Sequence, residues 1–253
     1  MKLLRDTGLV FNRYIGIFLS NPAWVIIGLI QPVLYLVLFA PLLKSIAATR
    51  GFPPGGAYNV FVPGLLIQLG LFGASGVGFG LIAELRAGVI ERFRVTPVSR
   101  FALLLGRALR DILVLVVQSL ILLVLSIPFG LHATVLGVLV MLCLVALIGL
   151  GMASLAYAAA LALRSEDSYA PLIFTLSLPL LLLSGVLLPL SLAPTWLQTI
   201  ADFNPLSYAV VAARDMFNGN AGNSAVLKGV IIMLALAAVG VVIGANSFNR
   251  AVA

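Results

Sequence analysis

Two residues of this chain could form a nucleophile and its base: Ser75, within Gly73-Ala74-Ser75-Gly76, and His132, the one histidine in 253 residues. A serine hydroxyl attacks a carbonyl only when a neighbouring base takes its proton, so the pair defines one reaction to weigh, serine hydrolysis inside a membrane. Ser75 falls near the middle of an apolar run and His132 in a polar turn beyond Gly130, which puts them at different depths. A glycine-rich packing face is therefore the stronger reading of the Ser75 motif. Other chemistry is sparse. Cys143 stands alone in an apolar run, with no disulfide or metal-ligand partner. Lys2, Lys44 and Lys228 lie outside glycine-rich loops and no G-x-x-x-x-G-K-[ST] occurs, so the chain builds no P-loop and hydrolyses no ATP by itself. The apolar runs offer polar groups such as Gln31, Gln68, Gln118, Ser75 and Tyr157 but hardly a carboxylate, which argues against a proton-coupled pump.

The densest polar chemistry lies in the stretch 87–100, Ala-Gly-Val-Ile-Glu-Arg-Phe-Arg-Val-Thr-Pro-Val-Ser-Arg. Glu91, Arg92 and Arg94 present a surface suited to water or a protein partner, while Val89 and Phe93 stand four apart on one side of a short helix. Pro97 ends that helix because it lacks an N–H and pushes Thr96 out of the helical region. Ser99 is placed to cap the next one.

The rest of the chain must hold this stretch at a membrane surface. With 62% apolar and only 9% charged residues, and a mean hydropathy of +1.19, the sequence excludes a soluble domain. The net charge of +7 does not indicate nucleic acid, because the basic residues sit at the ends of apolar runs, where membrane topology accounts for them. The N-terminus lacks the compact pattern of a cleaved signal peptide, so an uncleaved inner-membrane protein is expected. The expected fold is an all-α integral membrane protein with six transmembrane helices, an N-terminal interfacial helix and two short external re-entrant helices before the last span. It forms a single transmembrane domain, 1–253.

Residues 1–21 mix Lys2, Arg5 and Arg13 with apolar side chains, as a helix lying along the cytoplasmic surface does. The spans run over about 23–43, kinked at Gln31-Pro32, then 60–83, 112–129, 135–163, 169–188 and 226–245. The second carries Gly70, Gly73, Gly76, Gly78 and Gly80, and the last has Gly240 and Gly244 in GxxxG spacing. Residues 101–111 form the submerged start of the third helix, since Arg107, Arg110 and Asp111 are too costly to place deep in lipid. The segment 190–225 is too polar to cross and too apolar for an ordinary loop. Thr195 and Gln198 have capping-box spacing, Asn204-Pro205 is a helix start, and Trp196 and Tyr208 suit the headgroup level. This arrangement puts eleven basic residues inside and four (Lys44, Arg50, Arg214, Lys228) outside, hence both termini and the segment 84–100 in the cytoplasm.

The chain resembles the permease subunits of type 2 ABC exporters, particularly the daunorubicin/doxorubicin-resistance branch. The likeness is carried by Ser20-Asn21-Pro22, by Gln31-Pro32-Val33-Leu34-Tyr35-Leu36-Val37-Leu38-Phe39, by Phe61-Val62-Pro63-Gly64, and most densely by Gly88 through Glu91-Arg92-Phe93-Arg94 and Pro97-Val98-Ser99-Arg100 to Gly106-Arg107. It returns in Leu183-Ser184-Gly185-Val186 and Phe203-Asn204-Pro205-Leu206-Ser207-Tyr208. The order and spacing of these fragments over nearly the whole chain carry the match.

The resemblance implies a permease driven by two copies of a separate ABC ATP-binding subunit, which hold the ATP and Mg, and paired with a second copy of itself in a prokaryotic plasma membrane. It implies that Gly88, Val89, Glu91, Arg92, Phe93, Arg94 and Pro97 form the coupling helix that fits a groove on the ATPase. Trp196, Asn204, Pro205 and Tyr208 then belong to an external gate, and Gln31, Tyr35 and Gln68 are candidates to line a pathway, although interhelical hydrogen bonds suit the glutamines better. The family's substrates range from hydrophobic drugs to lipids and polysaccharides. From another class, Gly73-Ala74-Ser75-Gly76 is similar to the GxSG of rhomboid proteases, with Ser75 and His132 as the implied pair.

Overall fold

Helices make up the structure, a computed structural model that describes residues 2–20, 23–39, 41–42, 56–94, 98–187 and 189–252. Among these residues there is no strand. Helix α1 (Lys2–Leu19) is followed by α2 (Ala23–Leu34), α3 (Gly56–Arg86), α4 (Val89–Arg94), α5 (Arg100–Ser126), α6 (Val135–Leu163), α7 (Glu166–Leu182), α8 (Thr195–Ala201), α9 (Pro205–Phe217) and α10 (Ser224–Val252). Among the described residues four stretches are long and apolar enough to cross a membrane: Gly56–Arg86, Arg100–Phe129, Val135–Leu163 and Ser224–Arg250. The chain is a multi-pass membrane protein.

Helix α6 is central. It packs against α3, α5 and α10, and the contacts follow small residues. A Cβ at Gly240 of α10 would run into the Gly151 backbone of α6, and one at Gly244 would lie 3.0 Å from the Ser154 carbonyl. The GxxxG spacing thus brings two helix backbones together. On α3, Gly78 makes room for the Tyr169 ring of α7, whose hydroxyl donates to the Ser75 carbonyl at 2.6 Å, whereas Gly76 and Gly80 face open space. The glycine-rich face of α3 is therefore a seat for α5, α6 and α7 at some positions only.

The elements before α3 depart from one straight span. Pro32 lies inside α2, and the helix widens to a π-turn over Tyr35–Phe39 just beyond it. A proline removes one backbone bond and crowds the preceding turn, and a π-turn is one way to absorb this. The Gly/Pro-rich stretch 44–57, which its composition marks as an external loop between the first two spans, lies outside the described residues except at its end, where α3 begins at Gly56, earlier than the expected 60.

Helix α7 is shorter than the expected 169–188, because it stops at Leu182. Pro179 takes away one N–H, Ser184 turns back so that its Oγ donates to the Leu181 carbonyl at 2.6 Å, and Gly185 adopts φ +73°. The left-handed geometry there suits glycine and ends the helix. The following Val186 carbonyl then presses against Gly64 of α3, where a Cβ would come within 2.6 Å.

Two short helices do follow. Asn204 caps α9, its Oδ1 accepting from the Leu206 N–H at 3.0 Å with Pro205 in the first turn. The Thr195 cap expected for α8 does not form: Pro194 holds the cap position, and Gln198 Nε2 donates back to the Ala193 carbonyl at 2.8 Å. Ser99 is likewise in position before α5 without a side-chain cap bond. Its own backbone N–H donates to the Asp6 carboxylate of α1 at 3.5 Å, which ties the start of α5 to α1.

Candidate functional site

At one end of the bundle the chain collects α1, the end of α3, α4, the start of α5, and the ends of α6 and α10. The link from α3 to α4 is tight. Gly88 has φ +67°, its N–H donates to the Leu85 carbonyl at 3.1 Å, and its carbonyl accepts from Arg92 at 3.3 Å, so the chain reverses within two residues. Ile90 is the buried residue of α4, with Val89 and Phe93 half-buried beside it, while Glu91 and Arg92 are exposed. The expected Val89/Phe93 face is thus centred on Ile90. Arg94 ends the helix, and Pro97 lies outside the described residues.

Helix α4 is bound to its surroundings through α1. The Arg13 guanidinium stands 5.0 Å over the Phe93 ring, and the next residue, Tyr14, donates its hydroxyl to Glu84 of α3 at 2.8 Å. Glu84 also pairs with Arg107 of α5, whose guanidinium lies 4.5 Å over the Tyr14 ring. Three helices therefore meet on one carboxylate. Burial drives the Tyr14 hydroxyl well above its ordinary value; the Arg107 guanidinium opposes the shift and the Glu84 carboxylate adds to it.

One turn further along α5, Asp111 is fully enclosed, bonded to Arg110 at 2.6 Å and to the Tyr157 hydroxyl of α6. Arg110 lies 5.7 Å from the Phe18 ring of α1. Buried charges persist only when partners replace water, and here an aromatic ring and an opposite charge stand beside each guanidinium, with the Arg107 Nε left buried and without an acceptor. Two ties extend the junction at its rim. Arg86 at the end of α3 bonds Glu166 at the start of α7 at 3.1 Å, and Arg100 Nη1 donates to the Asn249 carbonyl of α10 at 3.0 Å. The geometry suits mechanical transmission: displacement of α4 bears on α1 through Phe93 and Arg13, and on α3 and α5 through Glu84 and Arg107.

The opposite end has its own hub. Arg214 of α9 donates Nε to the Val60 carbonyl of α3 at 2.8 Å and Nη2 to the Gly185 carbonyl at 2.7 Å, beside Val186 at 3.3 Å. Asn204 Nδ2 donates to the Leu180 carbonyl at 2.7 Å. These bonds hold α9 against the broken end of α7. Tyr208 donates to the Asp202 carbonyl at 3.0 Å, and Trp196 is largely exposed.

The structure separates Ser75 from His132. The His132 backbone is held by Asn59, its N–H on Oδ1 at 3.1 Å and its carbonyl on Nδ2 at 3.0 Å. Ser75 lies on the same helix as Asn59, sixteen residues on, or roughly 24 Å at 1.5 Å per residue. The buried Ser75 hydroxyl donates to the Leu71 carbonyl at 2.7 Å. No catalytic pair forms. Gln31 is exposed on α2, Tyr35 opens the π-turn half-buried, and Gln68 is enclosed in α3 with its Oε1 lacking a donor. Among the described residues no cluster of His, Cys, Asp or Glu is placed to hold a metal ion.

Arg13, Tyr14, Glu84, Arg107 and Arg214 were not singled out as site residues from the sequence. Glu84 and Arg107 carried a usable signal, since they are opposite charges at the ends of two apolar runs on the same side.

Comparison with known proteins matches residues 6–218 to the family model described as ABC-2 type transporter. The chain belongs to this family and is a permease of the ABC transporter class. Among its relatives are the "Putative transport permease ycf38" of Porphyra purpurea, 30% identical over 80% of this chain and 70% of the relative. The "Daunorubicin resistance ABC transporter permease protein DrrB1" of Streptomyces coeruleorubidus is 25% identical over 81% of this chain and 72% of its own length. The "Probable doxorubicin resistance ABC transporter permease protein DrrC" of Mycobacterium tuberculosis is 24% identical over 85% and 77%.

Proposed function

We propose that this chain is the permease subunit of an ABC exporter that moves a hydrophobic or amphipathic molecule, drug-like or lipid, outward across a prokaryotic plasma membrane. It works as a pair of identical chains with two ATP-binding subunits, which carry the ATP and Mg; this chain supplies no ATPase site. The single domain crosses six times, with α2 and its π-turn as the first crossing and α7 as the fifth, and with α8 and α9 re-entering from outside as a gate around Trp196, Asn204, Pro205 and Tyr208. Both termini and α4 lie in the cytoplasm in this reading, which the excess of basic residues at the α4 end supports.

The observation that carries this reading is the tie from α4 through Phe93 and Arg13 to the Tyr14–Glu84–Arg107 junction. Helix α4 leaves Glu91 and Arg92 exposed for the ATPase groove, while its inner face is joined to three longer elements. ATP-driven approach of the two ATPases then moves α1, α3 and α5 together as a rigid-body shift. Gln31 and Tyr35 border the path between the two copies, and Gln68 supports it from within α3.

The test is Phe93→Asp in the complex reconstituted with its ATPase. The variant should insert normally yet lose substrate-stimulated ATP hydrolysis and transport. Transport at the normal rate would remove α4 from the coupling role.

A further inference from the structure

Helix α1 lies across the start of α5 and is held there at two points. The Ser99 N–H meets Asp6, and Gly106 takes the Val10 side chain so closely that a Cβ there would stand 2.6 Å from it. Beside this crossing a groove of about 490 Å³ opens, with Leu4, Gly8 and Phe11 of α1 on one wall and Leu109, Leu113 and Val116 of α5 on the other. Leu4, Leu109 and Leu113 are exposed, so no described segment closes the groove. Val116 stands nine residues beyond Arg107, or roughly 14 Å at 1.5 Å per residue, which carries the groove from the charged junction into the apolar part of α5.

Gly8 is the mouth of this groove. Arg5, three residues before it, and Asn12, four after it, are both exposed and flank Gly8 on one side of α1, the spacing that stacks neighbours along a helix. Between them a Cβ at Gly8 would meet nothing within 4 Å, so a gap leads from the polar side of α1 to the apolar walls. Arg5 is a cation without a carboxylate. All eight Asp and Glu side chains of the chain are among the described residues, and their ion pairs are with Arg86, Arg107 and Arg110. The groove therefore has one uncompensated positive charge at its mouth and hydrocarbon within.

We infer that the α1–α5 groove binds an anionic phospholipid of the surrounding bilayer, with an acyl chain along Leu109, Leu113 and Val116 and its phosphate accepting from the Arg5 guanidinium and the Asn12 amide. A guanidinium and a phosphate make strong charge-assisted hydrogen bonds. A zwitterionic head brings its own cation to compete with Arg5 for the phosphate, whereas an anionic head does not. The lipid belongs to the leaflet at the α4 end, whichever side of the membrane that is, so the inference does not depend on the exporter reading.

The test uses the full chain in phosphatidylcholine vesicles containing a small share of phosphatidylglycerol with a diazirine in its acyl chain, present in both leaflets so that orientation does not matter. Phosphatidylcholine with the same diazirine chain, at the same share, is the comparison. Labelling is referred to residues 239–243 of α10, where Val239, Val242 and Ile243 are exposed. The phosphatidylglycerol probe should label residues 4–11 and 109–116 about fivefold more than the phosphatidylcholine probe, the worth of one basic residue at an anionic surface. Arg5→Gln, at an exposed position, should bring the two probes level. Gly8→Phe keeps every charge and fills the mouth of the groove, and it should lower labelling of residues 109–116 by both probes. This variant separates a built site from the general attraction of a basic interfacial helix to an anionic bilayer, which a phenylalanine at Gly8 does not weaken. Equal labelling of the native chain by the two probes, a phosphatidylglycerol preference that survives Arg5→Gln, or labelling of residues 109–116 untouched by Gly8→Phe overturns the site.

Discussion

Arg107 and Glu84 form an ion pair between α5 and α3, with the guanidinium enclosed and the carboxylate a quarter exposed. The pair differs from a surface bridge because the Tyr14 ring covers the arginine and the Tyr14 hydroxyl occupies the same carboxylate oxygen. Removing one member leaves the other charge poorly compensated. Arg107→Ala should therefore destabilise the chain by about 2–4 kcal/mol, at the lower end of what a fully buried pair shows because Glu84 reaches solvent. Joint replacement by Arg107→Leu and Glu84→Leu should cost less than Arg107→Ala alone. Unfolding free energies in detergent or bicelles, arranged as a double-mutant cycle, would show additive losses if the two side chains did not interact.

The same junction makes an alkaline prediction. The Tyr14 hydroxyl is held protonated above its ordinary value, so the folded state keeps a proton that the unfolded chain releases near pH 10. A raised pKa contributes stability that is complete below the unfolded value and diminishes as pH rises beyond it. The melting temperature of the native chain should fall as pH is raised through about 10, more steeply than that of Tyr14→Phe, which has no proton to lose at this position. Parallel slopes for the two proteins would show that Tyr14 is not held protonated by the fold.

At the other end, Arg214 donates to carbonyls from two segments far apart in the chain: Val60 in α3 and the 185–186 turn beyond α7. Arg214→Met keeps the length of the stem and removes every donor. The loss should be about 2–4 kcal/mol, as for other broken buried networks. Arg214→Lys should recover only part of it, since one ammonium cannot span the carbonyls that the guanidinium fork reaches. Faster proteolysis between 189 and 204 in the Met variant would accompany release of α9. Equal melting temperatures for all three proteins would mean that the hub does not hold this end.

How much of this was legible in the sequence follows from the range of each interaction. Helices α3, α5, α6 and α10 are long apolar runs, and such runs are local signals that composition alone exposes. Asn204-Pro205 was readable because a cap and a first-turn proline lie next to each other. The early stop of α7 was not, because Leu183 to Leu187 are as apolar as a span, and the break depends on Gly185, Gly64 and Arg214 meeting in space. The charged residues of α4 were equally visible, yet their connection to the bundle runs through Arg13 and Tyr14, some eighty residues earlier, within a helix that the sequence marks only as amphipathic. Long-range polar contacts between single residues leave no periodicity to read.

The topology can be tested with the chain's own chemistry. Cys143 is the one cysteine and is exposed on α6, so Cys143→Ala gives a background on which single cysteines report sidedness. Asn220 is exposed in the turn after α9, and Arg250 is exposed near the end of α10, a helix long enough to separate them across a bilayer. The proposed arrangement puts Asn220 outside, because α8 and α9 re-enter without crossing, and Arg250 in the cytoplasm beside Arg100, whose guanidinium donates to the neighbouring Asn249 carbonyl. An impermeant maleimide added to intact cells should therefore modify Asn220→Cys and spare Arg250→Cys until the membrane is permeabilised. The reverse pattern would turn the whole bundle over. Because Arg100 and Asn249 tie the end of α10 to the start of α5, it would also carry α4 to the face away from any cytoplasmic ATPase, and the coupling role would fall with it.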